Sequence, residues 1–506
     1  MDVAGLILRL RPEARARFDH VWSLTFYPDL PASPAPVAQR GSHFSAVHAS
    51  LLNKHHVSEA ADGPGPLASR PFTVYEERST GARQRFILWT EMANGLVDTL
   101  GYKAHVPGLQ HISNFLPSVL EECASGRDFR TGFYQIPIPR DARHLFRFVD
   151  ATGKWWQLTR LPMGHCCSVE LMQTLGAAAA GHPEYVTSSF VPFGVRCDMW
   201  VDNIRFVGPR QHVRRAMATL TETARQYNIT WKPEDSFDES TSYDFIGVRY
   251  DHLQGTVVPT KKLLDKLNAF SFDETITAGD LERLVGRLIH ASAIAGTYMG
   301  DYWFPLKYTR RIVNGLNRGT RHINSSICLP PSVRTGLAEW ILAVQATRHM
   351  SRVIGPARYT AFVDASTSGW GGVIIDERTN VITVLGAKWP PGENLHINVL
   401  EAKALALTAA ALPAGAARGR IRMIVDNTTV QAVARKGICL ANLAINEHVV
   451  TSLKHLRALG ADFTVEWVRS ADNPADAPSR IAISDFRNHT IDDVARQVFA
   501  FLQVPT

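Results

Sequence analysis

Two short stretches place carboxylates where divalent-ion chemistry could happen. In Arg196–Gly208, RCDMWVDNIRFVG, two apolar, strand-like runs flank Asp202-Asn203. Asp and Asn tolerate tight turns, so the pattern predicts strand, turn, strand, with a carboxylate at the tip. Upstream, Arg127–Ile138 reads RDFRTGFYQIPI, a second strand-like stretch led by Asp128. Carboxylates on adjacent strand ends could hold two divalent cations about 4 Å apart, the arrangement that clamps both oxygens of a phosphoryl transfer.

Other residue types fit the same chemistry. YEERSTGARQRFILWTEMAN reads as a hairpin carrying Arg78, Arg83 and Arg85, and guanidinium forks match triphosphate oxygens. Lys232, in ITWKPEDSF, could donate a proton to a leaving pyrophosphate, although a solvated Lys beside a turn would look the same.

The motifs also occur in a known order. DFRTGFYQIPI, LPMGHCCSVELMQ, MWVDNI and DFIGVRY resemble the palm and primer-grip motifs of retroelement reverse transcriptases. FVDAS, LEAKAL, IVDN and NPADAPSR resemble the motifs of their ribonuclease H domain. The phrase SADNPADAPSR is similar to hepadnaviral polymerases and to DIRS-like and VIPER-like retrotransposons. The resemblance spans roughly residues 75–482. It implies an α+β right-hand polymerase (fingers, palm, thumb) followed by an α/β ribonuclease H-like domain.

Further roles come from that resemblance alone. Arg78 and Arg85 fall where the fingers bind triphosphate, with Asn94 closing the motif. Phe133 falls where an aromatic residue lies against the incoming sugar, a wall that would exclude a 2′-hydroxyl. Gly164 and Gln173 fall in the loop and helix set against template and nascent base pair, and Gly247 where backbone nears the primer end. Asp128 and Asp202 would be the polymerase metal ligands. Asp364, Glu401, Asp426 and Asp476 would converge at one sheet edge as the nuclease ligands. Two Mg²⁺ ions per site are implied, with Mn²⁺ as substitute. The implied partners are RNA template, DNA primer, RNA:DNA hybrid and dNTPs.

Three departures stand out. Asn203 replaces the usual second aspartate, keeping a carbonyl oxygen but not the charge. Met163, Ser168 and Val169 stand where Phe, Ala and Pro are commoner. The loop before Asp476 is cut to SADN, with Asp472 near the place of a retroviral His.

The elements that must position these residues follow in order. Residues 1–70 read as an N-terminal extension, partly linker, with RLRPEARARF as a basic helix that either contacts nucleic acid or is simply solvated. Residues 71–255 read as fingers and palm, and 256–355 as a helical thumb or connection. Residues 356–482 read as the ribonuclease H-like domain, and 483–506 as a tail. Helices are expected from Pro209 to Asn228 and from Thr277, where Asp280 completes a capping-box variant. Arg283 and Arg287 would form the thumb's basic face.

Composition is compatible with this. With 506 residues, 45% of them hydrophobic, the chain can bury several cores. Its +7 charge suits a polyanion partner without requiring one. Six cysteines without CxxC or zinc-finger spacing point to a reducing compartment, cytoplasmic or nuclear. No run is long enough for a membrane span. No protease, integrase or recombinase pattern is visible, so the chain reads as one product of a longer element or a stand-alone frame. Two other readings stay open: a decayed or adapted hybrid-binding protein, and a hybrid-specific nuclease.

Overall fold

The computed structural model describes all residues except 31–43, 68, 79–80, 107–120, 273–274, 347, 350–356, 418, 460, 482–493, 497 and 499–506. It is a mixed helix-and-sheet chain in two units. Residues 1–111 and 118–255 form the first; 112–117 and 256–506 form the second.

The first unit opens with helices α1 (Val3–Ile7), α2 (Pro12–Phe26) and α3 (Ala46–Lys54), then β1 (Ser58–Ala60). A hairpin of two nine-residue strands pairs β2 (Arg70–Arg78) with β3 (Gly81–Trp89) and leads into α4 (Glu91–Thr99). Next come β4 (Cys123–Asp128), the single turn α5 (Gly132–Gln135), and the hairpin of β5 (Arg147–Val149) and β6 (Trp155–Leu158). Then follow α6 (Ser168–Ala180), β7 (Arg196–Trp200), β8 (Asn203–Gly208) and α7 (Arg210–Gln226). The unit ends with β9 (Phe237–Ser240) and the hairpin of β10 (Ser242–Phe245) and β11 (Val248–Asp251).

Its central sheet runs β7-β8-β4-β9. Two helices back it for reasons visible in their composition. α6 is alanine-rich, almost wholly buried, and stops at Gly181, whose φ of +65° the absent side chain allows. α7 follows Pro209 and buries Val213, Ala216, Met217, Leu220 and Ala224 at three- and four-residue spacing. Each large side chain in that stripe contributes roughly 1.5–3 kcal/mol by leaving water.

The N-terminal segment is part of this core, where the sequence suggested an extension. Leu6, Phe18, Val21 and Phe26 are buried, and Leu10 bridges to Val186. Three arginines of the basic run are tied to the protein's own groups while staying partly exposed. Arg17 forks onto the buried Glu170 carboxylate at 2.7 and 2.9 Å, Arg15 pairs with Asp19, and Arg11 donates to the Val186 carbonyl.

In the second unit, β12 (Thr256–Pro259) pairs with β13 (Arg348–His349). Between them lie α8 (Lys261–Asn268), α9 (Ala278–Ala295), α10 (Trp303–Asn317) and α11 (Pro331–Val344). Thr277 and Asp280 close the expected capping box on α9. Asp280 also binds Arg283, so the expected basic face gives up one free charge. Trp340 is fully buried, stacked on Tyr302 with ring centroids 4.6 Å apart.

A five-stranded sheet follows, β14 (Tyr359–Ala365), β15 (Gly369–Asp376), β16 (Val381–Lys388), β17 (Arg420–Val425) and β18 (Asp462–Trp467), ordered β16-β15-β14-β17-β18. β14, β17 and β18 are parallel, and β14 is buried along its whole length, as a strand covered on both faces must be. α12 (Ile397–Ala410) and α14 (Leu443–Ala458) cover one face, meeting Ala361, Val363 and Met423. α13 (Thr428–Lys436) joins them, and the short α15 (Asp476–Arg480) lies against β15. The other face, Phe362, Val373, Ile375 and Ile424, is covered in part by Val494 and Val498. Those two residues belong to the expected tail, which therefore contributes to the core. No described helix is long and apolar enough to cross a membrane.

Candidate active sites

The first site sits at the end of the β7-β8-β4 ladder. Asp128 ends β4 directly opposite Asn203, and the Phe129 N–H donates to the Asp202 carbonyl at 3.0 Å. Asp128 and Asp202 therefore stand on adjoining strand ends, as expected. The turn itself is displaced by one residue. Trp200 pairs with Asn203, so the loop is Val201-Asp202, and Val201 takes a φ of +56°. A β-branched residue in that region is strained.

Gln173 holds the strained turn. From α6 its Oε1 accepts the Val201 N–H at 2.6 Å, and its Nε2 donates to the Met199 carbonyl at 3.3 Å. It is 2% exposed, so this corrects the expectation of a nucleotide contact: Gln173 positions the hairpin from behind. Gln173→Met leaves the Val201 N–H buried without an acceptor, worth about 1–3 kcal/mol. The expected result is a lowered melting temperature, measured by thermal denaturation of the variant beside the native chain.

Asn203 turns its amide toward its neighbour, Nδ2 donating to Asp202 Oδ1 at 3.1 Å. In this arrangement it braces the carboxylate. Below the turn, Asp198 and Arg205 are a cross-strand pair, both almost wholly buried, and the guanidinium lies over the rings of Phe245 and Tyr250. That ion pair joins the β10–β11 hairpin to the sheet. DFIGVRY is thus a hairpin. Ile246 and Gly247 form its tip at φ +46° and +81°. Between tip and sheet lies a cleft of about 400 Å³ lined by Arg127, Asp128, Asn203, Tyr243, Ile246 and Arg249.

The remaining expected residues fall around this cleft unevenly. The Lys232 N–H donates to the Asp128 carbonyl at 2.8 Å, while its ammonium pairs with Asp235. Phe133 is half-buried on α5 against the core. Gly164 has a φ of +123°, and a Cβ there would stand 2.4 Å from the Leu88 carbonyl oxygen. The close approach it permits is to β3, and Gly164 itself is exposed. Asn94 donates to the Gly164 carbonyl at 2.8 Å. Arg85 is half-buried on β3, opposite Val74; the side chains of Arg78 and Arg83 lie outside the described residues.

The second site gathers carboxylates on the five-stranded sheet. Asp364 lies on β14, Glu401 on α12, and Asp426 follows β17; an oxygen from each lies within 4.8 Å of the other two. Burial, then the charges of Asp364 and Asp426, pushes the Glu401 carboxyl up to about 9. Burial likewise pushes Asp364 up to about 7, with Asp426 and Asp476 adding to the effect. Asp364 Oδ2 is buried with no hydrogen bond among the described residues. An orphaned oxygen within an all-oxygen donor set fits a hard divalent cation such as Mg²⁺ or Mn²⁺.

Asp476 stands apart from this triad. Its two oxygens take the Arg480 guanidinium, at 2.6 Å from Nη2 and 3.0 Å from Nε. It nevertheless lies close enough to Asp364 to repel its charge. Residues that sequence reasoning missed seat this segment. The buried Asn473 donates to the Val363 carbonyl at 3.0 Å, Ser366 donates to the Ser479 carbonyl at 2.7 Å, and a Cβ at Gly371 would strike the Ala475 oxygen at 2.5 Å. Their only signal was a buried-type Asn and a Gly inside strand patterns.

No family model and no curated protein matches the chain. Among solved structures, it is similar to the foamy viral protease-reverse transcriptase, in a form designated dRH, in complex with double-stranded DNA. The TM-score is 0.48 and the identity 15%, over 91% of this chain and 80% of that one. A second structure of that enzyme with double-stranded DNA gives 0.48 and 15%, over 92% and 96%. A third, with RNA/DNA hybrid, gives 0.48 and 14%, over 91% and 62%.

Proposed function

We propose that the chain is an RNA-directed DNA polymerase with ribonuclease H activity, copying retroelement RNA into DNA and degrading the RNA of the resulting hybrid. In this reading the first unit supplies fingers and palm. The second supplies thumb and ribonuclease H-like domain, of the hepadnavirus-related, DIRS-like or VIPER-like type that SADNPADAPSR resembles. The observation that carries it is the pairing of Asp128 with Asn203, two residues that line a cleft, which sets the Asp128 and Asp202 backbones side by side.

Mg²⁺, or Mn²⁺ in its place, held by Asp128 and Asp202 and by Asp364, Glu401, Asp426 and Asp476, would acidify the attacking hydroxyl or water and neutralise the leaving group. The chain's own residues do the rest. Asn203 braces Asp202, and Gln173 fixes the turn that presents it. Arg78 and Arg85 grip the triphosphate. Lys232, bonded to the Asp128 backbone, protonates pyrophosphate once Asp235 releases it. At the nuclease site Arg480 holds Asp476 back from the triad until substrate phosphate competes for the guanidinium.

Phe133 selects the sugar. Phe133→Val opens space for a 2′-hydroxyl, so discrimination against ribonucleotides is expected to fall by about tenfold or more. Incorporation of rATP against dATP on one template checks this, and unchanged selectivity removes Phe133 from the role.

Primer extension by the full chain on an RNA template, in Mg²⁺ and separately in Mn²⁺, tests the whole reading. Extension together with loss of template RNA is expected. The uncharged Asn203 favours one second reading, a hybrid-binding protein that no longer polymerises. Tight hybrid binding without extension in either metal selects it.

A further inference from the structure

His165, Cys166 and Cys167 link the loop at Gly164 to the start of α6, and polymerisation gives their side chains no task. Each offers a ligand atom, and these atoms all lie within 4.8 Å of one another. The two sulfurs are 4.0 Å apart. Two thiolates at about 2.3 Å from one tetrahedral ion stand roughly 3.8 Å apart, so the pair is already close to that spacing. It is far from the ~2 Å of a disulfide.

The surroundings hold the group in place, with the side chains of Thr25 and Tyr102 beside the Cys167 thiol. The Cys166 N–H donates to Asn94 Oδ1 at 2.9 Å, which fixes the backbone between the two clusters of contacts. His165 is 2% exposed. Its Nδ1 accepts a long 3.2 Å bond from the Cys167 N–H, and its Nε2 is buried with no hydrogen bond among the described residues. Cys167 is buried while Cys166 is only half so, which leaves an entry path. Cys123, Cys197, Cys328 and Cys439 join no such group among the described residues.

We propose that His165, Cys166 and Cys167 form a soft-metal site that takes one thiophilic divalent ion of the Zn²⁺ class, with water in the fourth position. Two sulfurs and an imidazole select such an ion over the hard cations suited to the carboxylate sites. Binding releases the two thiol protons to solvent. An ion there ties the Gly164 loop to α6, the helix that carries Gln173.

Titration of the reduced full chain with Cd²⁺ as a spectroscopic stand-in, followed by Zn²⁺ competition, tests the site without reference to polymerase activity. One Cd²⁺ per chain is expected, with the ultraviolet charge-transfer absorbance of two thiolates. Cys166→Ser weakens it by at least about tenfold. Cys328→Ser, at an exposed position elsewhere, leaves it unchanged, as does Asp202→Ala, even if the chain proves not to polymerise. A charge-transfer band that Cys166→Ser leaves intact, or no band at all, overturns the proposal. So does a reduced chain that takes up no ion while diamide removes two thiols without linking chains, because the pair is then a redox couple.

Discussion

Asp202→Ala is expected to lower primer extension by at least about 1,000-fold, some 4 kcal/mol of transition-state stabilisation, while hybrid cleavage stays within about twofold. The Asp202 backbone is locked beside Asp128 through the Phe129 N–H, so deleting the carboxylate leaves the hairpin standing and removes its charge and the bond from Asn203. Asn203→Asp is the informative partner. It replaces a donor to Asp202 with a second carboxylate, which strengthens cation binding and loses the brace. Activity equal to or above that of the native chain is expected, most clearly at low Mg²⁺. Extension by Asp202→Ala at native rates would remove the hairpin from the chemistry altogether.

Glu401→Gln should abolish hybrid cleavage and leave primer extension intact. It also carries a stability signature. The Glu401 carboxyl is raised from 4.5 to about 9 by burial and by Asp364 and Asp426. The stabilisation that its proton provides is therefore complete below pH 4.5 and is lost as pH climbs toward 9. Near neutral pH the cost of ionising the buried group is on the order of 2–3 kcal/mol. In chelator at pH 8 the variant should thus melt above the native chain, and the gap should close at pH 5. Mg²⁺ should raise the native melting temperature and hardly move that of the variant. A native chain whose metal-free stability is flat between pH 5 and 9 contradicts this account.

Much of this architecture was legible because its signals are local. The Asp202 hairpin, the Thr277–Asp280 box and the three strands after Tyr359 each declare themselves within a dozen residues. Most of what the sequence hid is long-range. Turn preferences put Asp202-Asn203 at the loop, but burial of Met199 and Ile204 and the grip of Gln173, 28 residues away, fix the register one step earlier. Arg17 looked like a solvated base because Glu170 lies 153 residues from it. Motif order grouped Asp476 with the triad but gave no sign that Arg480, one helical turn on, takes its oxygens. The tail's Val494 and Val498 carry no periodic pattern that reveals the sheet face they cover.

The stitching of residues 2–26 into the first unit bears on how the chain is made. The Asp2 N–H bonds to the Tyr227 carbonyl, Leu10 bridges to Val186, and Arg17 waits for Glu170. A ribosome adding about 5–20 residues per second needs roughly 10–40 s to deliver those partners. For that interval the first two helices emerge with Leu6, Val21 and Phe26 uncovered. Nascent-chain chaperones therefore have a long engagement with the segment that carries these two helices.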